Sequence, residues 1–371
     1  MCRTEGVDQV SKDASGSGED KPVRLHRYRG QHVKARTAGP AEDRIALIPG
    51  LQYRPQELNL YSEVDPLREN IRPLRGARAL SYVAVHHKRE MVTEIMPTAP
   101  ALAYMELAQS IVDRHLVKKH SGEPPEAARL KADIKQYAAA LGFALCGVTK
   151  LDRRFVVEGM DSRFPYETVV VLGMEMNKDF LLQAPNYCLR RYPDYDVYRR
   201  GGNQVHRVAN FIRRRGVSCS ARVPFNGAAI YPGHAITAGL GELGAFGGVL
   251  TPQFGPRQRW CMIAIDSPLP VDEPARTGLA DFCENCLLCV RKCPAGAIPE
   301  EPLWWRGVYK RKIDDLKCFT FFTSWHTCAI CINVCPLHRY PTASVLEHFE
   351  TTGEVMGYDE ILAERSVYRG K

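Results

Sequence analysis

What this chain lacks narrows what it can be. None of its 371 residues form a stretch that reads as a membrane span. The longest weakly polar run, "NGAAIYPGHAITAGLGELGAFGGVL", carries His234 and Glu242 and is rich in glycine, so it reads as buried loop and strand. The first fifty residues lack the apolar centre of a secretory signal, and no twin-arginine start is seen. Instead "SKDASGSGED" followed by "KPVRLHRYRGQHVKAR" reads as a flexible tail with a basic patch. A disulfide scaffold is excluded as well, because 13 cysteines in a chain of this length are too sparse and too clustered. Close thiol spacing points to metal, and metal thiolates need a reducing compartment, so the expected location is the cytoplasm.

A convincing nucleotide fingerprint is also missing. "AGLGELGAFGG" contains Gly239-x-Gly241-x-x-Gly244, but the match is isolated. It does not open a βαβ unit with an acidic residue about 20 positions on. The glycines there suit close approach of backbone to something large and flat. No Asp-x-His-x-x-Gly run is present either.

What is there is ample apolar content, 45%, and a formal net charge of +8. The charge suits an acidic partner such as RNA or an acidic redox protein. A soluble surface with a basic tail accounts for it more simply. The organisation reads as a disordered basic tail over 1–45, an extension of unclear fold over 46–130, and an α/β (α+β) region over 131–280. A cysteine-rich module over 281–345 and a C-terminal segment over 346–371 follow. Within the extension, "ALAYMELAQSIVDRHLVKK" is helical in pattern. "ADIKQYAAALGFALCGVTKLD" predicts a helix, a break at Gly142 and a strand at "FALCGVT". "ETVVVLGMEM" predicts a buried strand. "NQVHRVANFIRRRG" sets Val205, Val208, Ala209 and Ile212 on one helix face, with Asn203 as N-cap and Gly216 at the C-cap. "RWCMIAIDSPL" is a further strand, and the alternation of helix and strand defines the class.

The chemistry sits in "CENCLLCVRKCP" and "CAICINVCP", with Cys318 between them. Cys-x-x-Cys-x-x-Cys-x-x-x-Cys-Pro is the bacterial ferredoxin run, in which three close thiolates hold one cluster and the fourth reaches the other. The expected ligands are Cys283, Cys286, Cys289 and Cys335 for one [4Fe–4S] cluster, and Cys293, Cys318, Cys328 and Cys331 for the second. The gap between Cys318 and Cys328 is longer than the ordinary two residues, so a loop is inserted there. A zinc site is the alternative, but zinc motifs rarely show three cysteines in series followed by Cys-Pro. Cys2, Cys146, Cys188, Cys219 and Cys261 lie outside the pattern, as buried small hydrophobes or, for Cys2, as tail. Two clusters make an electron wire, which implies a redox cofactor in the α/β region.

From about 130 to 340 the chain resembles the reductive dehalogenases, through "ALGFALCGVTKLD", "VVVLGMEMN", "VANFIRRRG" and "AGLGELGAFGGVLTPQFGPRQRWCMIAIDSPL" followed by the double-cluster module. The resemblance implies a nitroreductase-like domain that holds a base-off corrinoid, cobalamin, without a lower histidine ligand, then a bacterial ferredoxin-like module. It implies an organohalide substrate and an electron donor such as a ferredoxin, flavodoxin or reductase. It makes Tyr198, just before the helix, the proton donor, Arg257 the basic residue that tunes it, and Asn226 the polar partner. Tyr192, Tyr195 and Arg259 are competitors. Gly239, Gly241, Glu242, Gly244 and Thr251 would hold the corrinoid. Ala245 and Gln253 stand where arginine and glutamate are expected, which bears on the substrate. His206 and His234 read as core or surface residues rather than ligands.

Other readings stay open. Epoxyqueuosine reductase is a related enzyme acting on a tRNA base, and the basic tail would suit phosphate contacts. There "YRRGGN" aligns with "YARGRD", so Asn203 stands where an acid aspartate is expected and cannot donate its proton. A ferredoxin-type electron carrier with an accessory domain is the non-enzymatic reading, and it expects no corrinoid.

Overall fold

The structure is a computed structural model. It describes residues 125–156, 161–184, 193–224, 229–305, 308–314, 317–318, 321 and 328–364. The expected tail, most of the extension with its helical stretch, and Asn226, Cys2 and Cys188 lie outside those residues.

Four strands make the central sheet: β1 (Leu145–Lys150), β2 (Thr168–Glu175), β3 (Cys219–Arg222) and, later in the chain, β6 (Gln258–Ile265). Their order is β1-β2-β6-β3, and every pairing is antiparallel. The mixed helix–strand architecture is therefore as expected, but the alternation of elements produces no parallel pairs. The pleat sends alternate side chains to opposite faces. Val170, Leu172 and Met174 of β2 join Cys261, Ile263 and Ile265 of β6 in one core, and Val169 and Val171 join Trp260, Met262 and Ala264 in another. Seven of the eight residues of β2 are buried, as its unbroken apolar run predicts.

Helix α1 (Ala127–Ala140) buries Leu130, Ile134 and Ala138, four residues apart, and breaks at Gly142, whose φ is +90°. After the short helix α2 (Lys178–Leu182), α3 (Pro193–Arg213) lays Val205, Val208, Ala209 and Ile212 on the same core. Burying each Val or Ile contributes on the order of 1.5–3 kcal/mol. Helix α3 is longer than its sequence pattern suggests. Asn203 is an exposed residue within it rather than its N-cap, and Tyr198 lies inside the helix rather than ahead of it. The Gly201–Gly202 pair disguises this, since each interior glycine costs about 1 kcal/mol relative to alanine. Packing accounts for the first: a Cβ on Gly201 would lie 3.3 Å from Cys261 Sγ on β6.

The opposite face of the sheet is covered by α4 (Tyr231–Thr237), a helix within the run expected to be loop and strand. Tyr231, His234 and Ala235 point inward at helical spacing. Gly233 hides the helix in the sequence; a Cβ there would meet the Phe155 ring at 2.6 Å. Two short strands, β4 (Glu242–Leu243) and β5 (Val249–Leu250), pair beyond it.

The cysteine-rich half holds α5 (Leu279–Cys286), α6 (Leu288–Arg291), the hairpin of β7 (Leu303–Trp305) and β8 (Val308–Lys310), α7 (Ile330–Asn333), α8 (Pro336–Arg339), α9 (Thr342–Thr352) and α10 (Tyr358–Ala363). Phe282, Leu288, Val334, Leu337, Val345 and Ile361 form its own core. It is joined to the sheet half at several points. Asn333 Nδ2 donates to the carbonyls of Leu182 and Ala184 at 3.1 and 3.2 Å, and Lys178 Nζ donates to Arg339 O at 3.3 Å. Gly255, at φ +56°, lies so close to the Leu337 carbonyl that no side chain fits. Among the described residues, no helix is long and apolar enough to cross a membrane.

Gly147→Ala tests how tightly β1 packs under α4, because the added Cβ would lie 2.6 Å from the Ala238 carbonyl oxygen. Overpacking of this kind costs about 1–3 kcal/mol. Thermal unfolding should show a lower midpoint, and an unchanged midpoint would mean the two elements are not in contact.

Candidate functional site

Helix α5 carries the first two thiols of the cysteine run, and its start is anchored by the β4–β5 hairpin. Glu242 accepts hydrogen bonds from Thr277 Oγ1 at 2.8 Å and from the Ala280 N–H at 3.1 Å, which sets a carboxylate at the helix N-terminus. Between α5 and α6 the chain turns through Leu287, the one described non-glycine residue at positive φ, +50°. That left-handed step is uncommon for a branched side chain and ends α5 immediately after Cys286. It lets Cys289 turn back toward Cys283 and Cys286. In the second cysteine group, Cys335 is the N-cap residue of α8; its carbonyl accepts from the His338 N–H at 2.9 Å, and its sulfur makes no capping hydrogen bond.

The thiols fall into two neighbourhoods. Burial raises the Cys335 thiol, and nearby Cys283 and Cys286 raise it further. Cys289 is raised by burial, then by Cys283, Cys331, Cys335 and Cys286. Burial pushes Cys286 up to about 12. Cys331 is raised by burial, then by Cys328, Cys318 and Cys293. The first neighbourhood is thus Cys283, Cys286, Cys289 and Cys335, and the second is Cys293, Cys318, Cys328 and Cys331. Cys289 and Cys331 stand where the two meet.

These donors fit a thiolate-bound cluster. Ala245 N–H donates to Cys283 Sγ at 3.2 Å and Ala297 N–H to Cys293 Sγ at 3.3 Å, so backbone dipoles already favour anionic sulfur. Buried thiols with raised pKa ionise only when a metal takes the proton's place. Among the described residues, no three His, Cys, Asp or Glu side chains converge as the ligands of a single metal ion. A four-iron cluster spreads its thiolates more widely than one zinc does.

The five loop residues expected to hold a corrinoid are engaged with the protein itself. A Cβ on Gly239 would strike the Glu273 carbonyl, and one on Gly241 the Leu250 carbonyl. On Gly244 it would lie 2.6 Å from the Phe246 ring. Glu242 anchors α5, as above. Thr251 is fully buried, and its hydroxyl accepts from the Phe254 N–H at 3.1 Å. Gly239 and Gly241 thus lie against backbone, and Gly244 against the Phe246 ring.

Arg257 donates Nε to Glu175 Oε1 at 2.8 Å, so its charge is already paired. Helix α3 presents Asp196 and Arg200 to that end of β2, where Arg200 Nη2 donates to the Glu175 carbonyl at 3.0 Å. Tyr198, half-buried, lies two residues from each, about 200° round the helix axis. Arg259 shares the pleat of Cys261, which packs in the core beneath α3, and its guanidinium lowers the Cys331 thiol against the larger effect of burial. The sequence offered Arg259 only as a competitor; strand parity is the signal that favours it. Asn226 lies outside the described residues. A cavity of about 500 Å³ opens beside the Glu175–Arg257 pair, lined by Met174, Met176, Lys178, Arg200 and Phe254 among others. It was not anticipated, because it forms only where β2, α2 and α3 meet.

No family model matches the chain. Over 194 residues it is 31% identical to a tetrachloroethene reductive dehalogenase of Sulfurospirillum multivorans, covering 47% of this chain and 36% of that protein. Over 192 residues it is 30% identical to a tetrachloroethene reductive dehalogenase of Desulfitobacterium hafniense, covering 48% and 34%. The chain thus spans about a third of the length of these curated relatives. Epoxyqueuosine reductase of Escherichia coli is 25% identical over 278 residues, covering 61% of this chain and 70% of that protein. Among solved structures, a reductive dehalogenase described in connection with B12-dependent dehalogenation superposes with a TM-score of 0.60 at 23% identity. That match covers 72% of this chain and 40% of the other, and is a likeness of fold. The chain is a relative of the reductive dehalogenase family, with a more distant likeness to epoxyqueuosine reductase.

The histidines divide by their partners. His234 is fully buried on α4; its Nε2 accepts from the Asp152 N–H at 3.1 Å, and Nδ1 lies 3.0 Å from the Ile230 carbonyl, to which it donates. Both ring nitrogens are therefore engaged by backbone, and burial holds the ring neutral. His206 and His338 are buried with no hydrogen-bond partner on either ring nitrogen, and burial pushes them down to about 4 and about 3. His234→Ala should strand the Asp152 N–H in the interior. Each buried unpaired group costs about 1–3 kcal/mol. Urea unfolding should show the loss with metal content unchanged; loss of metal without loss of stability would make His234 a ligand instead.

Proposed function

We propose that the chain is the redox core of a corrinoid iron–sulfur reductase, and that its reaction is reductive dehalogenation. The observation that supports this best is the division of eight cysteines into two thiol neighbourhoods, joined at Cys289 and Cys331. In this reading Cys283, Cys286, Cys289 and Cys335 hold one [4Fe–4S] cluster, and Cys293, Cys318, Cys328 and Cys331 the other. A nitroreductase-like half and a ferredoxin-like module then share one interface, and a separate ferredoxin, flavodoxin or reductase delivers electrons. When bound, the clusters and a base-off corrinoid supply the low-potential electrons. The overall change is R–X plus two electrons and one proton giving R–H and X⁻.

The protein's own part is to hold and release the proton. A phenol, with pKa near 10, keeps its proton at neutral pH, which suits Tyr198 as donor. A guanidinium beside it would stabilise the phenolate left behind. Arg259 is the preferred candidate, because strand parity with Cys261 places it on the α3 face of the sheet, where Tyr198's helix packs. The 70% coverage of epoxyqueuosine reductase favours a second reading, reduction of a modified tRNA base.

Anaerobic assembly should give about eight irons per chain, in two clusters of four. Cys335→Ala should lose one cluster and keep most iron on the other. Zinc near one per chain with negligible iron would sink the assignment.

Catalysis is tested by halide release from brominated and chlorinated phenols and aliphatics, with a strong chemical reductant as donor. Tyr198→Phe should lower the rate about 10²–10⁴-fold, as loss of a general acid does. Arg259→Lys should cost more than Arg257→Lys, since lysine lacks the planar fork. Full activity in Tyr198→Phe would remove the residue as donor. No halide release, with turnover of epoxyqueuosine-containing RNA, would select the second reading.

A further inference from the structure

His338 is buried to 0% exposure, yet neither ring nitrogen has a hydrogen-bond partner. A buried polar group left unpaired needs an explanation. The residue is the third of α8, whose N-cap is Cys335. Side chains in a helix lean toward its N-terminus, and one at the third position reaches back toward the N-cap. The His338 N–H donates to the Cys335 carbonyl at 2.9 Å, which ties the residue to the turn that carries this thiol. Its charged neighbours are Arg257, Lys178 and Arg339, all of which are donors, so they offer the ring N–H no acceptor. A neutral imidazole carries one N–H, and no described group accepts it.

We propose that the His338 imidazole donates a hydrogen bond to a sulfur of the cluster held by Cys283, Cys286, Cys289 and Cys335, and thereby sets that cluster's potential apart from its neighbour's. The inference rests on the cluster reading above. A hydrogen bond to cluster sulfur stabilises the more negative, reduced state, so it raises the reduction potential. The second neighbourhood includes Cys318, which is exposed. The two clusters thus differ in surroundings, and His338 adds a directed difference to a general one.

The test uses the full chain, assembled anaerobically and studied with and without cobalamin. Redox titration followed by electron paramagnetic resonance reads both clusters. His338→Leu should move one midpoint to lower potential and leave the other in place, with iron content retained. His338→Asn keeps a side-chain N–H and should recover part of the shift. Pulsed resonance on protein labelled with ¹⁵N-histidine should show a weak nitrogen coupling to one reduced cluster. That coupling should be absent in His338→Asn and present in His206→Leu, which removes the other unpartnered buried imidazole. The wild-type coupling stands even if His338→Leu fails to assemble. Unchanged midpoints in His338→Leu, no ¹⁵N coupling, or a coupling seen only with cobalamin would each overturn the proposal. Iron absent from assembled wild-type protein would overturn the cluster reading itself.

Discussion

The structure depends on a strand with no solvent face. Strand β2 is buried along seven of its eight residues, and it lies between β1 and β6 at the centre of the sheet. Both faces must therefore be covered, and the two apolar cores on either side are the consequence. Helices α1 and α3 cover one face and α4 the other. The ends of β2 and β6 then define where polar chemistry can begin. Glu175 and Arg257, the first charged residues at that edge, pair at 2.8 Å, and the cavity opens beside them.

The cysteine-rich half is held against this sheet by backbone as much as by side chains. Asn333 reaches the carbonyls at the end of α2, Lys178 reaches one at the end of α8, and Gly255 and Leu337 meet main chain to main chain. Such contacts fix distances closely because they cannot rotate away. They hold Cys331 against the sheet core and Leu337 beneath the Gly255 turn. The hairpin of β4 and β5 does the same from the other side, with Glu242 on the start of α5 and the Ala245 N–H on Cys283. In its described contacts this glycine-rich loop also braces the first thiol neighbourhood.

Charge is sorted at the same junction. Arg257 is paired with Glu175, and Arg339 with Glu364, whereas Lys178 bonds a carbonyl. Arg259, on the neighbouring pleat, acts instead on Cys331. Two arginines two residues apart in sequence thus serve different partners, because an extended strand sends side chains i and i+2 to one face only while pairing persists. Arg257 lies just before β6 and is free of that rule.

Local sequence determined much of this protein. The continuous β-branched run made β2, the spacing of Val205, Val208, Ala209 and Ile212 made the buried face of α3, and Gly142 ended its segment with a positive φ. Within the Cys-x-x-Cys-x-x-Cys-x-x-x-Cys-Pro run, the first three thiols share one neighbourhood and the fourth joins the other. These features are short-range, so a window of sequence contains their cause. Tertiary structure alone decided the rest. Gly201 and Gly233 mark places where elements approach closely, which is how α4 and the first turns of α3 were hidden. The sheet is antiparallel because of long-range pairing, which helix–strand alternation does not encode. The Glu175–Arg257 pair, and the burial of the His338 ring without a described partner, depend on which residues meet from elements far apart in the chain. Contact across such distances in sequence is a property of the packed molecule.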